Sequence, residues 1–295
     1  MRRSILGRAL LFVLVAGMAF LGGAGAGEHG TRILRASDSR IFLAALPTHQ
    51  LQIAYEASSF DYEEPAVMRE QGGLEGFALS YAWSPGGRSD SPSRPVLRFA
   101  LVERSGTVDY TGQLTDGTDY RIAGIKDRLF EFRVLIGLMR QIDPSFCMIA
   151  YAGYGRRSLR DDASFDPAGY ERVSRYDYLP LGVELIRALG ANLRIGAELE
   201  YDALITGKQT SRLSELDPSL PDVENEQKSG SGAGGWLWLQ VGTGGIAMTI
   251  GPWVRYWSLD TSLPSESSGP FSSRVEPRNH SWEVGGRVGV VVSIR

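Results

Sequence analysis

The sequence predicts an all-β chain closed into an antiparallel up-and-down transmembrane β-barrel of about ten strands, behind a cleaved signal peptide. Three observations predict it. Ten stretches alternate apolar with small or polar residues, the period-two signature of a strand with two unlike faces. The gaps between them are alternately short and long. Beyond the amino-terminal signal no apolar run is long enough for a membrane helix, so a membrane protein of this composition has to cross with strands.

The clearest stretch is the last. Trp282, Val284, Val288, Val290, Val292 and Ile294 share one face, with Glu283, Gly285, Arg287, Gly289 and Ser293 on the other. Strand one covers Leu51 to Phe60, with Leu51, Ile53, Tyr55 and Ala57 on the apolar face. Strand two, Leu74 to Trp83, sets Phe77, Leu79, Tyr81 and Trp83 against Gly76, Ala78, Ser80 and Ala82. In strand three, Val96 to Arg104, Leu97, Phe99 and Leu101 oppose Arg98. Strand four, Leu129 to Met139, sets Phe130, Phe132, Val134, Ile136 and Leu138 against Glu131 and Arg133.

Strand five is Phe146 to Arg156. Strand six, Tyr176 to Arg187, alternates Leu179, Leu181, Val183 and Leu185 with Tyr178, Gly182 and Glu184. Strand seven, Leu193 to Ala203, sets Leu193, Ile195, Ala197, Leu199 and Tyr201 against Arg194, Gly196, Glu198, Glu200 and Asp202. Strands eight and nine, Gly235 to Val241 and Ile246 to Trp257, flank a glycine-rich turn. Pro180 and Pro252 fall inside strands, where proline removes a ladder donor, and are expected at bulges or local breaks.

Turn chemistry marks Gln141–Ser145, Leu189–Asn192 and the link after Val241 as tight connections. Long polar segments around 61–73, 105–127, 157–175, 204–234 and 259–279 alternate with them and are expected as external loops, the fourth mobile. The link Ser84–Pro95 breaks the rule by its length. A two-sheet soluble protein has no reason to sort its connections in this way.

Residues 1–26 read as a signal peptide: Arg2, Arg3 and Arg8, an apolar run from Ala9 to Gly22, then small residues for cleavage. Residues 27–50 are expected as a periplasmic lead-in or plug and 51–295 as the barrel. The 31 basic side chains face 34 acidic ones, and the signal holds three of the arginines, so the mature chain is acidic. That balance argues against nucleic acid as a partner. One cysteine, Cys147, excludes an internal disulfide framework and reads as a small apolar strand residue. Many of the 36 glycines occupy the polar register of the strands, as a narrow interior would require.

Several segments carry a resemblance. Tyr62-Glu63-Glu64-Pro65 with Gly72, Gly73 and Gly76, Tyr151-Ala152-Gly153-Tyr154-Gly155-Arg156-Arg157, and Tyr170-Glu171-Arg172 leading to Tyr178-Leu179-Pro180-Leu181-Gly182 are similar to segments of small bacterial outer-membrane β-barrel proteins of a ten-strand-type group. The resemblance implies the outer membrane of a bacterial cell. Implied partners are the lipid bilayer, lipopolysaccharide and the outer-membrane insertion machinery, with small solutes as possible cargo. One departure is the ending Ser293-Ile294-Arg295, where many such barrels carry a terminal aromatic residue.

In the inward register stand Glu56, Arg98, Glu131, Arg133, Glu184, Arg194, Glu198, Glu200, Asp202, Arg255, Glu283 and Arg287. Unpaired buried charge is expensive, so these are expected either as a structural ion-pair network or as a charged constriction selecting small solutes. Tyr151, Tyr154, Tyr170, Tyr176, Tyr178, Trp253, Tyr256, Trp257 and Trp282 are expected as interfacial girdles. The expected role is structural or that of a narrow pore, without catalysis, cofactor or metal.

The alternative is an outer-membrane hydrolase acting on lipid A or peptide at the extracellular rim. A barrel of this length resembles the omptin surface proteases, but their Asp–His pair does not map onto Arg278-Asn279-His280-Ser281. The His-x-Ser spacing of lipid A deacylases fails as well, because His280 and Ser281 are adjacent. With Glu283 they form a polar strand end.

Overall fold

Every one of the ten alternating stretches forms a strand. The computed structural model describes residues 47–85, 93–113, 117–243, 245–265 and 274–294. Strands β1 (His49–Glu64), β2 (Met68–Trp83), β3 (Ser93–Gln113), β4 (Asp119–Asp143), β5 (Phe146–Asp162), β6 (Glu171–Ala188), β7 (Leu193–Ser211), β8 (Val223–Gln227), β9 (Gly230–Thr243), β10 (Ile246–Leu259) and β11 (Asn279–Ile294) form one sheet. Neighbours are antiparallel, and β11 pairs with β1 from Ile294↔His49 to His280↔Glu63, which closes the barrel. Among the described residues the short β8 pairs in the sheet with the end of β7 alone, so the other ten strands make the wall. The expected signal peptide and most of the lead-in fall outside the described residues, and β1 already begins at His49.

The outer face carries a continuous apolar belt. Ile53 on β1, Phe77 on β2, Ile136 on β4, Leu199 on β7, Ile250 on β10 and Val284 on β11 are all more than half exposed. On β11 it runs from Val284 to Ile294, about the nine to eleven residues that a tilted strand needs to cross hydrocarbon. A water-soluble barrel would not leave such a band uncovered. The belt gives way to outward charges at Glu75, Glu103, Arg128, Arg156 and Asp177.

Beyond that line the wall does not dissolve into loops. Four of the five segments expected as long external loops are mostly strand, while residues 260–265 and 274–278 of the fifth are not. β1 and β2 continue to a tight turn at Pro65–Val67, and β7 runs to Ser211 before a short 3-10 turn (Leu213–Glu215) and β8. β4 extends from Phe130 out to Asp119, about 35 Å of strand at about 3.3 Å per residue. The physical reason is a second apolar face, pointing inward. Phe60, Leu74, Val108, Ile125, Leu129 and Leu159 pack inside the extension, each 8% exposed or less. Tyr176, Tyr178, Trp257 and Leu259 form a further cluster beside them. The result is a packed tower on one rim. On the other, turns at Pro144–Ser145 and 189–192 are short, as the sequence predicts.

Both prolines interrupt pairing. Opposite Pro180 the β5–β6 register skips from Ala152↔Leu181 to Gly155↔Tyr178, and opposite Pro252 the β9–β10 register skips from Ile250↔Leu239 to Trp253↔Trp236. Missing N–H donors account for both gaps.

The girdle expectation needs correction. Tyr154, Tyr256 and Trp282 do face outward, but Tyr151, Tyr176, Tyr178, Trp253 and Trp257 are buried in the interior. Inward glycines make room for them. A Cβ on Gly182 would overlap the Tyr151 ring, one on Gly155 the Tyr178 ring, and one on Gly196 the Trp238 indole. Gly182→Val therefore forces Tyr151 to move and lowers stability by about 1–3 kcal/mol, the usual range for overpacking. Gly286→Val, with open space at its Cβ, leaves stability unchanged. Urea unfolding from detergent micelles measures both.

Candidate functional site: the charged interior

At mid-height the inner faces of seven strands meet in one chain of alternating charge. It begins on β11, where the Arg287 Nε donates to Glu56 Oε1 of β1 at 2.6 Å. Arg104 of β3 lies 3.6 Å from Glu56 and 2.7 Å from Glu283 of β11. Glu283 accepts from Arg157 of β5 at 2.6 Å, and Arg157 reaches Glu131 of β4 at 3.4 Å. Arg255 of β10 then donates to Glu131 at 2.5 Å, and on β7 to Glu200 at 2.6 Å and Asp202 at 2.9 Å. Arg133 joins Glu200 at 2.8 Å. Glu56, Glu131, Asp202 and Glu283 are all within 2% of complete burial. Every carboxylate in this layer touches at least one guanidinium, as its burial demands.

Phenols and indoles complete the layer. The Tyr178 hydroxyl donates to Glu131 at 2.6 Å. Tyr151 lies between Glu198 and Glu200, 2.6 and 2.9 Å from their oxygens, and so ties the main chain of charges to a lower cluster. There Arg98 holds Glu184 at 2.5 Å and Glu198 at 3.5 Å, and the Trp238 indole donates to Glu184 at 3.2 Å. Arg104 stacks over Trp253 and Arg287 over Trp236.

Eleven of the sequence-derived charges therefore meet in this network. The twelfth, Arg194, lines the space below it. A cavity of about 180 Å³ reaches from the network, where Glu131, Glu200 and Arg255 line it, past Gln52 and Arg194 toward Gln50 and Gln240 near the short-turn rim. An apolar cluster of Val96, Leu135, Met139, Cys147, Ile149 and Ile186 flanks it. Above the network stands the apolar filling of the tower. The inner face is thus a charged layer capped on the tower side by an apolar core, with a cavity of mixed lining on the other.

Sequence reasoning missed Arg104 and Arg157, the links that make the chain continuous. Arg104 ends its predicted strand, and Arg157 falls in a predicted loop. Both keep the inward parity of their strands, Arg98 to Arg104 and Tyr151 to Arg157, and continuing the alternation would have found them.

A second polar cluster sits inside the tower. Arg172 of β6 donates to Glu70 at 2.7 Å, to Asp161 at 3.0 Å and to Glu64 at 3.2 Å. Asp127 stands directly across the β4–β5 ladder from Asp161 and is 2% exposed. Burial, and then the Asp161 charge, push the Asp127 carboxyl up to about 8. Burial and Glu64 push Glu276 up to about 8. Burial raises Glu70 against the pull of Arg172.

His280, Ser281 and Glu283 do not converge. His280 faces outward, 3.6 Å from Glu63 and against the Tyr256 ring, whereas Ser281 and Glu283 share the inner face. Among the described residues no group of histidine, cysteine and acidic side chains has the arrangement of a metal site.

Two measurements test this electrostatic account. Arg255→Ala leaves Glu131, Glu200 and Asp202 without their shared cation and costs about 3–5 kcal/mol, read as a lower urea midpoint. A larger effect is expected than for exposed Arg128→Ala, whose pair with Glu103 contributes about 0–1 kcal/mol. In the tower, the raised carboxyls bind protons more tightly folded than unfolded. Their stabilisation is complete at pH below about 4 and is lost as pH rises to and through about 8. Hydrogen-exchange protection of the tower amides, corrected for intrinsic rates, falls between pH 6 and 9, and Asp127→Asn flattens the fall.

No protein-family model matches the sequence, and no curated protein matches it. Among solved structures the chain is similar to the outer-membrane protease OmpT of Escherichia coli, with a TM-score of 0.59 and 9% identity over 83% of this chain and 96% of that one. Looser likenesses are the toluene transporter TodX of Pseudomonas putida (TM-score 0.33, 10% identity, 85% and 92% covered) and the attachment invasion locus protein Ail of Yersinia pestis (TM-score 0.32, 10% identity, 81% and 97% covered). At such identities the likeness to OmpT shows the fold alone: this chain is built as a bacterial outer-membrane β-barrel.

Proposed function

We propose that the protein is an integral barrel of the bacterial outer membrane whose role is structural: a sealed wall carrying a rigid extracellular tower as a contact platform. The single observation that supports it is the double closure of the interior. A charged layer with its carboxylates matched to guanidiniums fills the middle, and an apolar core fills the tower above it. A selective pore needs a continuous polar path with exchangeable ligands. Here the guanidiniums and carboxylates at mid-height are engaged with one another, and the apolar core of the tower stands above them. The belt supports a membrane setting, and the sorting of short turns and long hairpins supports an extracellular position for the tower.

This reading narrows the expectation from the sequence, in which a structural role and a narrow pore stood together. The hydrolase alternative draws no support from His280, because its nearest acid, Glu63, is on the outer surface and Ser281 is on the inner one. Planar-bilayer recording is the direct test. The refolded full chain is expected to insert without unitary conductance at either polarity. A stable channel whose selectivity changes with Glu198→Gln or Glu200→Gln would overturn the proposal in favour of the constriction.

A further inference from the structure

Just above the belt, on the outer surface of β4 to β7, four arginines surround a groove of about 450 Å³: Arg128, Arg160, Arg175 and Arg212. Phe130 and Val173 form its floor, with Ser158 and Glu171 on the sides. The placement is unusual for a sheet. Arg128 and Arg160 are directly opposed across the β4–β5 ladder, and Ser158 is opposed to Arg175 across the next. Like charges directly opposite one another destabilise a strand pair unless something neutralises them.

The chain's own acids do so incompletely. Arg128 has Glu103, and Arg160 and Arg212 both lean on one carboxylate, Glu171. Asp162 and Glu215 approach only at 3.5 and 3.9 Å. Arg175 has no acid partner among the described residues and is exposed. Arg160 and Arg212 hold the buried Glu171 between them, but the Arg128–Glu103 pair is exposed on both sides, so it contributes little and can be exchanged for a better anion. A phosphate is that anion, because guanidinium binds it through two parallel N–H donors.

The floor identifies what carries the phosphate. Phe130 is 43% exposed and begins the apolar belt below the groove. A free phosphate would gain nothing from it. An amphiphile with its phosphate among the arginines would lay its acyl chains down the belt. We infer that this groove binds a phosphate group of the phosphorylated glycolipid that forms the outer leaflet, with Arg128 and Arg175 as its principal donors. The inference rests on the outer-membrane reading above.

Native mass spectrometry of the refolded full chain in detergent, with lipid titrations, tests it. The probes are lipopolysaccharide with its lipid A phosphates, the same material dephosphorylated, and inorganic phosphate. Wild type is expected to retain the phosphorylated glycolipid, and the double variant Arg128→Gln/Arg175→Gln to bind it at least about tenfold more weakly. Arg140→Gln, an exposed arginine near the opposite rim, should bind as wild type does. Folding of each variant is checked by its heat-modifiable electrophoretic mobility.

Equal retention of phosphorylated and dephosphorylated lipid would overturn the inference, as would unchanged affinity in the folded double variant. Competition by inorganic phosphate at the affinity of the glycolipid would reduce the groove to a general anion site and also overturn it. A chain that stays monomeric and soluble without detergent would instead defeat the outer-membrane reading itself.

Discussion

A charge held where no water reaches it has to be neutralised by the protein, and this barrel meets that constraint with a single branched chain of guanidiniums and carboxylates. Glu283 and Asp202 have no exposed surface at all, yet Glu283 lies beside two arginines and Asp202 accepts from one. The arrangement fixes more than charge. Arg255 can bridge Glu131, Glu200 and Asp202 only when β4, β7 and β10 stand in one register, because a slip of one residue would turn each side chain to the lipid. Aromatic rings seated over inward glycines fill what space the charges leave. Polar matching and steric filling therefore specify the same wall.

The tower extends this logic with other materials. Within the belt, outward residues are apolar and inward ones mixed. Beyond it the pattern inverts on the same strands, so that Leu74 and Ile125 point in while Arg69 and Arg128 point out. Strands that would fray as solvated loops acquire a core of their own. Arg172 crosses that core to reach acids from three other strands. It is a costly design for a mere connector between membrane strands.

Strand number, order and facing were legible in the sequence because lipid imposes a strict alternation on one face. The outward positions of β4, Phe130 through Leu138, are apolar without a break. Alternation loses that clarity where the outer face meets water and the inner face meets other side chains. There Gly72, Thr107 and Ser158 alternate with apolar residues in a pattern that polarity alone reads as loop. For the same reason Arg157 went unnoticed while Arg133 did not. Partners across the barrel were not legible at all. Nothing in the spacing of Arg104 and Glu283 brings them together, since their contact depends on a wall closed on itself. Tyr151 and Trp253 were misplaced because aromatic content near strand ends does not say which face carries the ring.

The order in which the charges are linked bears on how the barrel can be made. Two members of the chain, Glu283 and Arg287, belong to β11, and Glu56 belongs to β1, so the circuit passes through the seam where the sheet closes. Before the final hairpin docks, Arg104 and Arg157 lack Glu283, and Glu56 lacks Arg287. The earlier strands neutralise them only in part, because Arg104 then keeps Glu56 and Arg157 keeps Glu131. Seam closure consequently completes the interior neutralisation, since the last carboxylate and the last guanidinium of the circuit arrive on the strand that shuts the wall.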